Sequence, residues 1–141
     1  MNTLHLEIIT PERIAYQEDV NMVTVPGAQG YMGILPHHVP LFSSLIHGEV
    51  KIIKGDEEIF LSIGGGFIEV TKKNVTVLVT KASHADELNE QEILRAKEKA
   101  EEILREKPSR EAVEYAAQML RGTLVDLEVL RRRARKSSIR S

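Results

Sequence analysis

The stretch Leu88-Asn89-Glu90-Gln91-Glu92-Ile93-Leu94-Arg95 divides the chain, because here the spacing of apolar residues changes from two to about 3.6 and stays changed. Ahead of it the pattern is that of strands; behind it, that of helices. Asn89 is a good N-cap residue, with Glu92 three positions on and Ile93 four positions on, so a capping box and a hydrophobic staple overlap. Asn89 is expected to accept the N–H of Glu92, Glu92 to reach back to the N–H of Asn89, and Leu88 to pack on Ile93. The reading is therefore a two-part molecule with one defined junction: a β-sandwich domain over residues 1–84 and an antiparallel two-helix hairpin over residues 85–141.

Working back from the junction, Leu4, Leu6 and Ile8 alternate up to Pro11, which predicts a half-buried strand. Asp19 to Val25 is rich in β-branched residues and ends at the turn pair Pro26-Gly27, after which Gly30 to Leu35 resumes extended chain. Pro36 and Pro40 bracket a loop that cannot be helical and is stiff for its length, which suits a contact surface. Val50–Ile53 and Glu58–Ile63 flank Lys54-Gly55-Asp56-Glu57, and Phe67–Thr71 and Val75–Thr80 flank Lys72-Lys73-Asn74, which predicts two hairpins. Short strands at this spacing point to a sandwich or barrel.

Working forward, Ile93, Ala96, Ala100, Ile103 and Leu104 mark one face of a helix that runs to about Arg105. Pro108 and Ser109 open a second helix, expected over Arg110 to about Lys136, with the stripe Val113, Ala116, Ala117, Leu120, Leu124, Leu127 and Leu130. The alanines allow close approach of the two helices, so an antiparallel hairpin is the default. At about 1.5 Å per residue the second helix outruns the first, roughly 40 Å against roughly 24 Å. Its unmatched end carries Leu127, Leu130, Arg131, Arg132, Arg133 and Arg135.

The 141 residues have a formal net charge of −2, but its distribution is uneven: from Arg121 onward there are seven basic against two acidic residues. A basic end on an acidic chain suits an acidic partner, whether nucleic acid, anionic lipid or an acidic protein surface. The absence of cysteine excludes thiol chemistry and a disulfide framework and fits a reducing compartment. Neither a signal peptide nor a spanning apolar run is expected. The five histidines lack metal-ligand spacing. Gly64-Gly65-Gly66 leads into a strand, not into Lys-Ser/Thr and a helix, so it reads as a bulge or tight turn and not a phosphate cradle. No nucleophile-elbow context appears, and catalysis by the chain alone is not expected. Glu92 and Arg95 form an i, i+3 pair that suits a nucleotide, but also a cap with a surface ion pair.

With these residues laid out, Gly30-Tyr31-Met32-Gly33-Ile34-Leu35-Pro36-His37-His38-Val39-Pro40-Leu41 resembles the Gly-x-x-Gly-Ile-x-Pro-x-His-x-Pro-Leu stretch of F-type ATP synthase epsilon subunits. Ser62-Ile63-Gly64-Gly65-Gly66-Phe67-Ile68-Glu69-Val70 resembles that family's Ser-Gly-Gly-Phe-x-Glu-Val segment. The resemblance implies a β-sandwich followed by two helices, and a non-catalytic rotor subunit of the central stalk. Its implied partners are the gamma subunit, the c-ring, and the catalytic beta and alpha subunits, with no nucleic acid and with membrane association only through the complex. The implied location is peripheral, on the cytoplasmic face of the bacterial cell membrane, or on the thylakoid in a plastid. Carried over by motif, Tyr31, Met32 and His38 face the ring or gamma, Tyr31 standing where the family has an acidic residue. Tyr31, Met32 and His38 are also expected to share one exposed surface away from the helices.

In bacterial members of the family the helices regulate: folded on the sandwich they permit ATP hydrolysis, and extended into the head they inhibit it through basic residues. Arg131, Arg132, Arg133 and Arg135 take that place here. Some members bind ATP through Ile/Leu-Asp-x-x-Arg-Ala, matched here by Gln91, Glu92, Ile93, Leu94, Arg95 and Ala96, with Glu for Asp and Gln for the aliphatic residue. Gly122 and Asp126 align with the second-helix arginines of those members. Glu92 and Arg95 are thus the nucleotide candidates, and ATP as a cofactor is not favoured. The reading from another class is a free-standing sandwich adaptor whose basic tail binds nucleic acid or anionic lipid.

Overall fold

The computed structural model describes the backbone of residues 2–106 and 109–140, with side chains as far as Arg133, so Pro108 and the side chain of Arg135 lie outside the described residues. Ten strands come first: β1 (Leu4–Ile9), β2 (Ile14–Val20), β3 (Met22–Gly27), β4 (Gly30–Ile34), β5 (Leu41–Leu45), β6 (Gly48–Lys54), β7 (Glu57–Ile63), β8 (Gly66–Val70), β9 (Asn74–Val79) and β10 (Ala82–His84). A single 3-10 turn, Ala85–Glu87, leads to α1 (Glu90–Glu106) and α2 (Arg110–Arg140).

The strands hydrogen-bond in the order β10-β7-β6-β3-β5-β8-β9-β1-β2, with β4 on β3. At β3–β5 the contact is a single pair, Gly27 with Leu45. The sheet folds there into two layers, β10-β7-β6-β3-β4 and β5-β8-β9-β1-β2. Among the described residues the ladders are antiparallel except β1 with β9. One apolar cluster draws on both layers: Leu6, Ile8, Ile68 and Val77 from one, and Val23, Ile52, Leu61 and Ile63 from the other. The period-2 alternation of β1, β8 and β9 is what supplies those inward residues.

The alternation fails on β6 and β7, where Glu49 and Val50 are both buried and Phe60 through Ile63 are continuously buried. Leu61 and Ile63 point into the sandwich. Phe60 and Ser62, of opposite parity, are covered from outside by α2. This pair is covered on its outer face because α2 lies across it, and the polar residues there, Glu49 and Ser62, are buried against partners on the helix.

The hairpin turn at Gly55-Asp56 forms as the sequence predicts, with Gly55 at φ +61°. The expected single strand over Asp19–Val25 is instead two, β2 and β3, hinged at Asn21. Its N–H donates to the Ile53 carbonyl (2.8 Å) and its Oδ1 accepts from the Gly55 N–H (2.7 Å), so the side chain ties the corner to the β6–β7 turn. Strands β5 and β10 were not expected. The triple glycine is a crossing between layers and not a ligand loop: a Cβ on Gly66 would sit 2.0 Å from the Leu78 carbonyl oxygen. Gly122 is the reverse case, since a Cβ there meets nothing within 4 Å and close packing does not require it.

These two glycines give opposite predictions. Gly66→Ala forces backbone apart inside a ladder and is expected to lower stability by about 1–3 kcal/mol. Gly122→Ala, on a helix with open space beside it, is expected to raise stability by up to about 1 kcal/mol. Urea unfolding of the two variants beside the parent checks both signs.

Candidate functional site

The junction is built by a chain of polar contacts. Arg13, in the β1–β2 turn, donates from both terminal nitrogens to the Glu87 carboxylate at 2.8 Å each, and one of them also reaches the Ala82 carbonyl at 2.9 Å. Glu87 accepts in addition from the His84 N–H at 2.9 Å, while His84 Nε2 donates to the Ala15 carbonyl at 2.6 Å. The Arg13 guanidinium, and after it the His84 N–H, holds the Glu87 carboxyl well down, at about 2. Asn89 Oδ1 accepts the Glu92 N–H at 3.2 Å, as the N-cap reading requires. Leu88 packs onto a small cluster of Phe60, Ala85 and Val129, which anchors it to the sandwich and α2.

Helix α2 runs along α1 and continues onto β6 and β7. Ala100 and Ala116 are fully buried, the close approach that small residues permit. Further along, the expected stripe gives way. Leu124 is 48% exposed, while Thr123, Asp126, Leu127 and Val129 are buried. The far end of the helix, unmatched within the hairpin as expected, lies on the chain's own sandwich. Asp126, 6% exposed, accepts a hydrogen bond from the Ser62 hydroxyl and has Lys81 Nζ at 3.8 Å. Arg132 Nε is 3.2 Å from a carboxylate oxygen of Glu49, itself 8% exposed. Arg133 pairs with Asp86 at 2.5 Å. Arg131 is exposed.

Tyr31, Met32 and His38 do not share one surface. Tyr31 and Met32 are consecutive in β4, and side chains alternate across a strand. Tyr31 is 63% exposed, while Met32 is half-buried against the sandwich core. Nor is Tyr31 remote from the helices: with Glu49, Leu124, Val125 and Arg132 it lines a groove of about 550 Å³ between the sandwich and α2. Its hydroxyl accepts the Glu49 N–H at 3.4 Å. His38 is half-buried in a turn closed by its own N–H to the Leu35 carbonyl (3.2 Å), beside His37 at φ 65°.

Glu92 lines a cavity of about 420 Å³ at the root of the hairpin, together with Glu87, Asp126, Lys81 and Gly122; Arg95 is exposed and is not among the lining residues. Three carboxylates face one lysine there. No group of His, Cys, Asp and Glu among the described residues is arranged to hold a metal ion.

One surface escaped the sequence reading. On the outer face of the second layer Phe67 pairs with Leu78, and Leu78 with Ile9, while Phe42 stacks on Phe67 at 5.5 Å between centroids. Phe42 is 66% exposed, Phe67 50% and Leu78 49%, so this is an apolar band open to solvent. Its signal was the doubly apolar pairs Phe67-Ile68 and Val77-Leu78, which fill both faces of a strand.

The model of the "ATP synthase, Delta/Epsilon chain, beta-sandwich domain" family matches residues 3–85. An ATP synthase epsilon chain of Dehalococcoides mccartyi is 39% identical over 141 residues, covering 99% of this chain and 100% of the relative. One from Herpetosiphon aurantiacus is 38% identical over 130 residues, covering 92% and 96%. Among solved structures, a chain of the Euglena gracilis mitochondrial ATP synthase (OSCP/F1/c-ring) superposes with a TM-score of 0.79 at 22% identity, over 89% of this chain and 79% of that one. A chain of the Tetrahymena thermophila mitochondrial ATP synthase central stalk and c-ring gives 0.59 at 12% identity, over 90% and 96%. The fold is theirs.

The Arg13–Glu87 clamp predicts a pH dependence. A carboxyl depressed to about 2 from an ordinary 4.5 stabilises the fold fully above 4.5, and that stabilisation is lost as pH falls toward 2. The stability difference between the parent and Glu87→Gln is therefore expected to be constant at neutral pH and to shrink through that window. Denaturant unfolding at stepped pH measures it.

Proposed function

The chain belongs to the ATP synthase epsilon chains and is a subunit of ATP synthase, and on that premise we propose that it is a non-catalytic rotor component whose hairpin restrains ATP hydrolysis. Residues 1–84 form the docking domain, seated on the gamma subunit and the c-ring in the central stalk. Tyr31 and His38 contribute contacts from the β4 strand and the loop after it, and Met32 packs on the sandwich core behind that strand. The apolar band of Phe42, Phe67 and Leu78 gives the sandwich a second face suited to protein contact, since contiguous exposed apolar surface marks interaction sites. Residues 85–141 form the regulatory domain, which meets the catalytic beta and alpha subunits through Arg131, Arg132, Arg133 and Arg135. The chain sits on the cytoplasmic side of the membrane through the complex; no helix among the described residues is long and apolar enough to cross a bilayer.

The observation that carries the regulatory reading is the pairing of Arg132 and Arg133 with Glu49 and Asp86. The basic end of α2 already recognises carboxylates presented by a folded protein surface, which is the chemistry an acidic segment of the head would offer. A helix that meets one acidic surface when folded down, and another when extended, has the two contact sets that a conformational switch requires.

ATP does not fit the cavity at Glu92. Its polyphosphate would face Glu87, Glu92 and Asp126 against Lys81, and the Glu92 N–H is already taken by the Asn89 cap. Titration calorimetry of the full chain with ATP is expected to show no specific binding at micromolar concentrations; a saturable micromolar isotherm overturns this. For the regulatory reading, ATP hydrolysis is measured in complexes reconstituted with the parent, a chain ending at Gly122, and a chain with Arg131, Arg132, Arg133 and Arg135 all changed to Ala. Truncation is expected to raise the rate on the order of fivefold or more, the usual scale of a coupling between sites. The arginine variant should follow it. Equal rates in parent and truncation end the regulatory reading.

A further inference from the structure

The contact between α2 and the sandwich is unusual in what it buries. Its apolar part is small: Phe60, Ala85 and Val129, with Leu88 against them. Beside these sit two buried carboxylates, each lent by one side and held by the other. Asp126 of α2 is held by Ser62 and Lys81 of the sandwich, and Glu49 of the sandwich by Arg132 of α2. The exposed pair of Arg133 with Asp86 stands one turn beyond Val129.

Such an interface is specific but weakly held. A buried carboxylate must be paired, so each of the two enforces the register of the other. Pairing in the interior is largely offset by the loss of hydration, so the docked form is held over the lifted one by a small margin that single charge changes can alter. Arg132 and Arg133 are also two of the residues assigned above to the catalytic head. Neither guanidinium can serve Glu49 or Asp86 and the head at once.

We propose that Glu49 and Asp86, with Ser62 and Lys81 fixing the register through Asp126, form a polar latch that holds α2 on the sandwich, the two carboxylates competing with the acidic surface of the head for Arg132 and Arg133. This rests on the regulatory reading above and adds its control element: the sandwich is an intramolecular decoy for the head. Weakening the decoy therefore increases inhibition, the opposite sign to deleting the helix.

The test uses the full chain, which has no cysteine of its own. Spin labels on Lys72→Cys and Arg121→Cys, both exposed positions, report the distance between sandwich and α2. In a Glu49→Gln/Asp86→Asn background a second, longer distance is expected to gain population, by up to about fivefold per pair lost. Reconstituted complexes with the same changes are expected to hydrolyse ATP more slowly than the parent. Asp86→Asn alone, at an exposed residue that does not endanger folding, should show a smaller shift in the same direction. Unchanged distances in both backgrounds overturn the latch, whatever the truncated chain does. Shifted distances with hydrolysis unmoved, in the truncation as well, leave the latch standing and remove the regulatory role.

Discussion

The contact between Asp126 and Ser62 constrains more of this molecule than any other single interaction. A carboxylate at 6% exposure has to find a donor, and the donor lies on the outward face of β7, so α2 has to cross the sheet at that point. From this crossing follow the burial of Phe60 beside Ser62, the enclosure of Glu49 on the neighbouring strand and the loss of polar alternation along β6 and β7. The helix in turn sacrifices an apolar stripe: Leu124 is turned out so that Thr123 and Asp126 can be turned in.

The root of the hairpin is secured in another way. Arg13 and Glu87 meet through two parallel hydrogen bonds, the geometry that makes a guanidinium–carboxylate pair directional as well as strong. Glu87 is also fixed by the His84 N–H, and His84 by the Ala15 carbonyl, so the 3-10 turn is tied to the β1–β2 turn and to β2. Local bonds and a side-chain cap then start α1 at Asn89. The hairpin is thus rooted by polar contacts that do not involve α2, with Ala85 and Leu88 packed on Val129, while α2 is held to the sandwich by paired charges beside that small apolar cluster.

Much of this was legible in the sequence where one physical rule acted alone. The alternation of Leu4, Leu6 and Ile8, the Gly55 turn and the Asn89 cap are local signals, and each appears where the residues predict. The split of the expected strand at Asn21 was not visible, because the residue that makes the corner is polar for a tertiary reason: it bonds Ile53 and Gly55, more than thirty positions away. Placing Tyr31 and Met32 on one surface neglected strand parity. The burial of Asp126 could not be read, since its partners Ser62 and Lys81 come from the other domain and nothing at the helix positions signals them. The triad of Phe42, Phe67 and Leu78 was readable in principle, as pairs of consecutive apolar residues within strands.

If the same arginines serve both contacts, as proposed, ionic strength acts on both. Were they engaged only on the head, salt would simply release inhibition by screening exposed pairs over about 8–10 Å. Here salt also acts on the docked form, and unevenly. The Asp86 side chain is 73% exposed and its pair with Arg133 is open to screening, whereas the Glu49 and Asp126 side chains are 9% and 8% exposed and their pairs are screened much less. Rising salt therefore loosens the tip of α2 before it loosens the buried register, and the docked form keeps its two interior carboxylates at salt concentrations that have already weakened an exposed contact to the head. On the proposed mechanism the buried half of the latch gives the docked form the greater tolerance to salt, and burial, more than the number of charges, decides the sign.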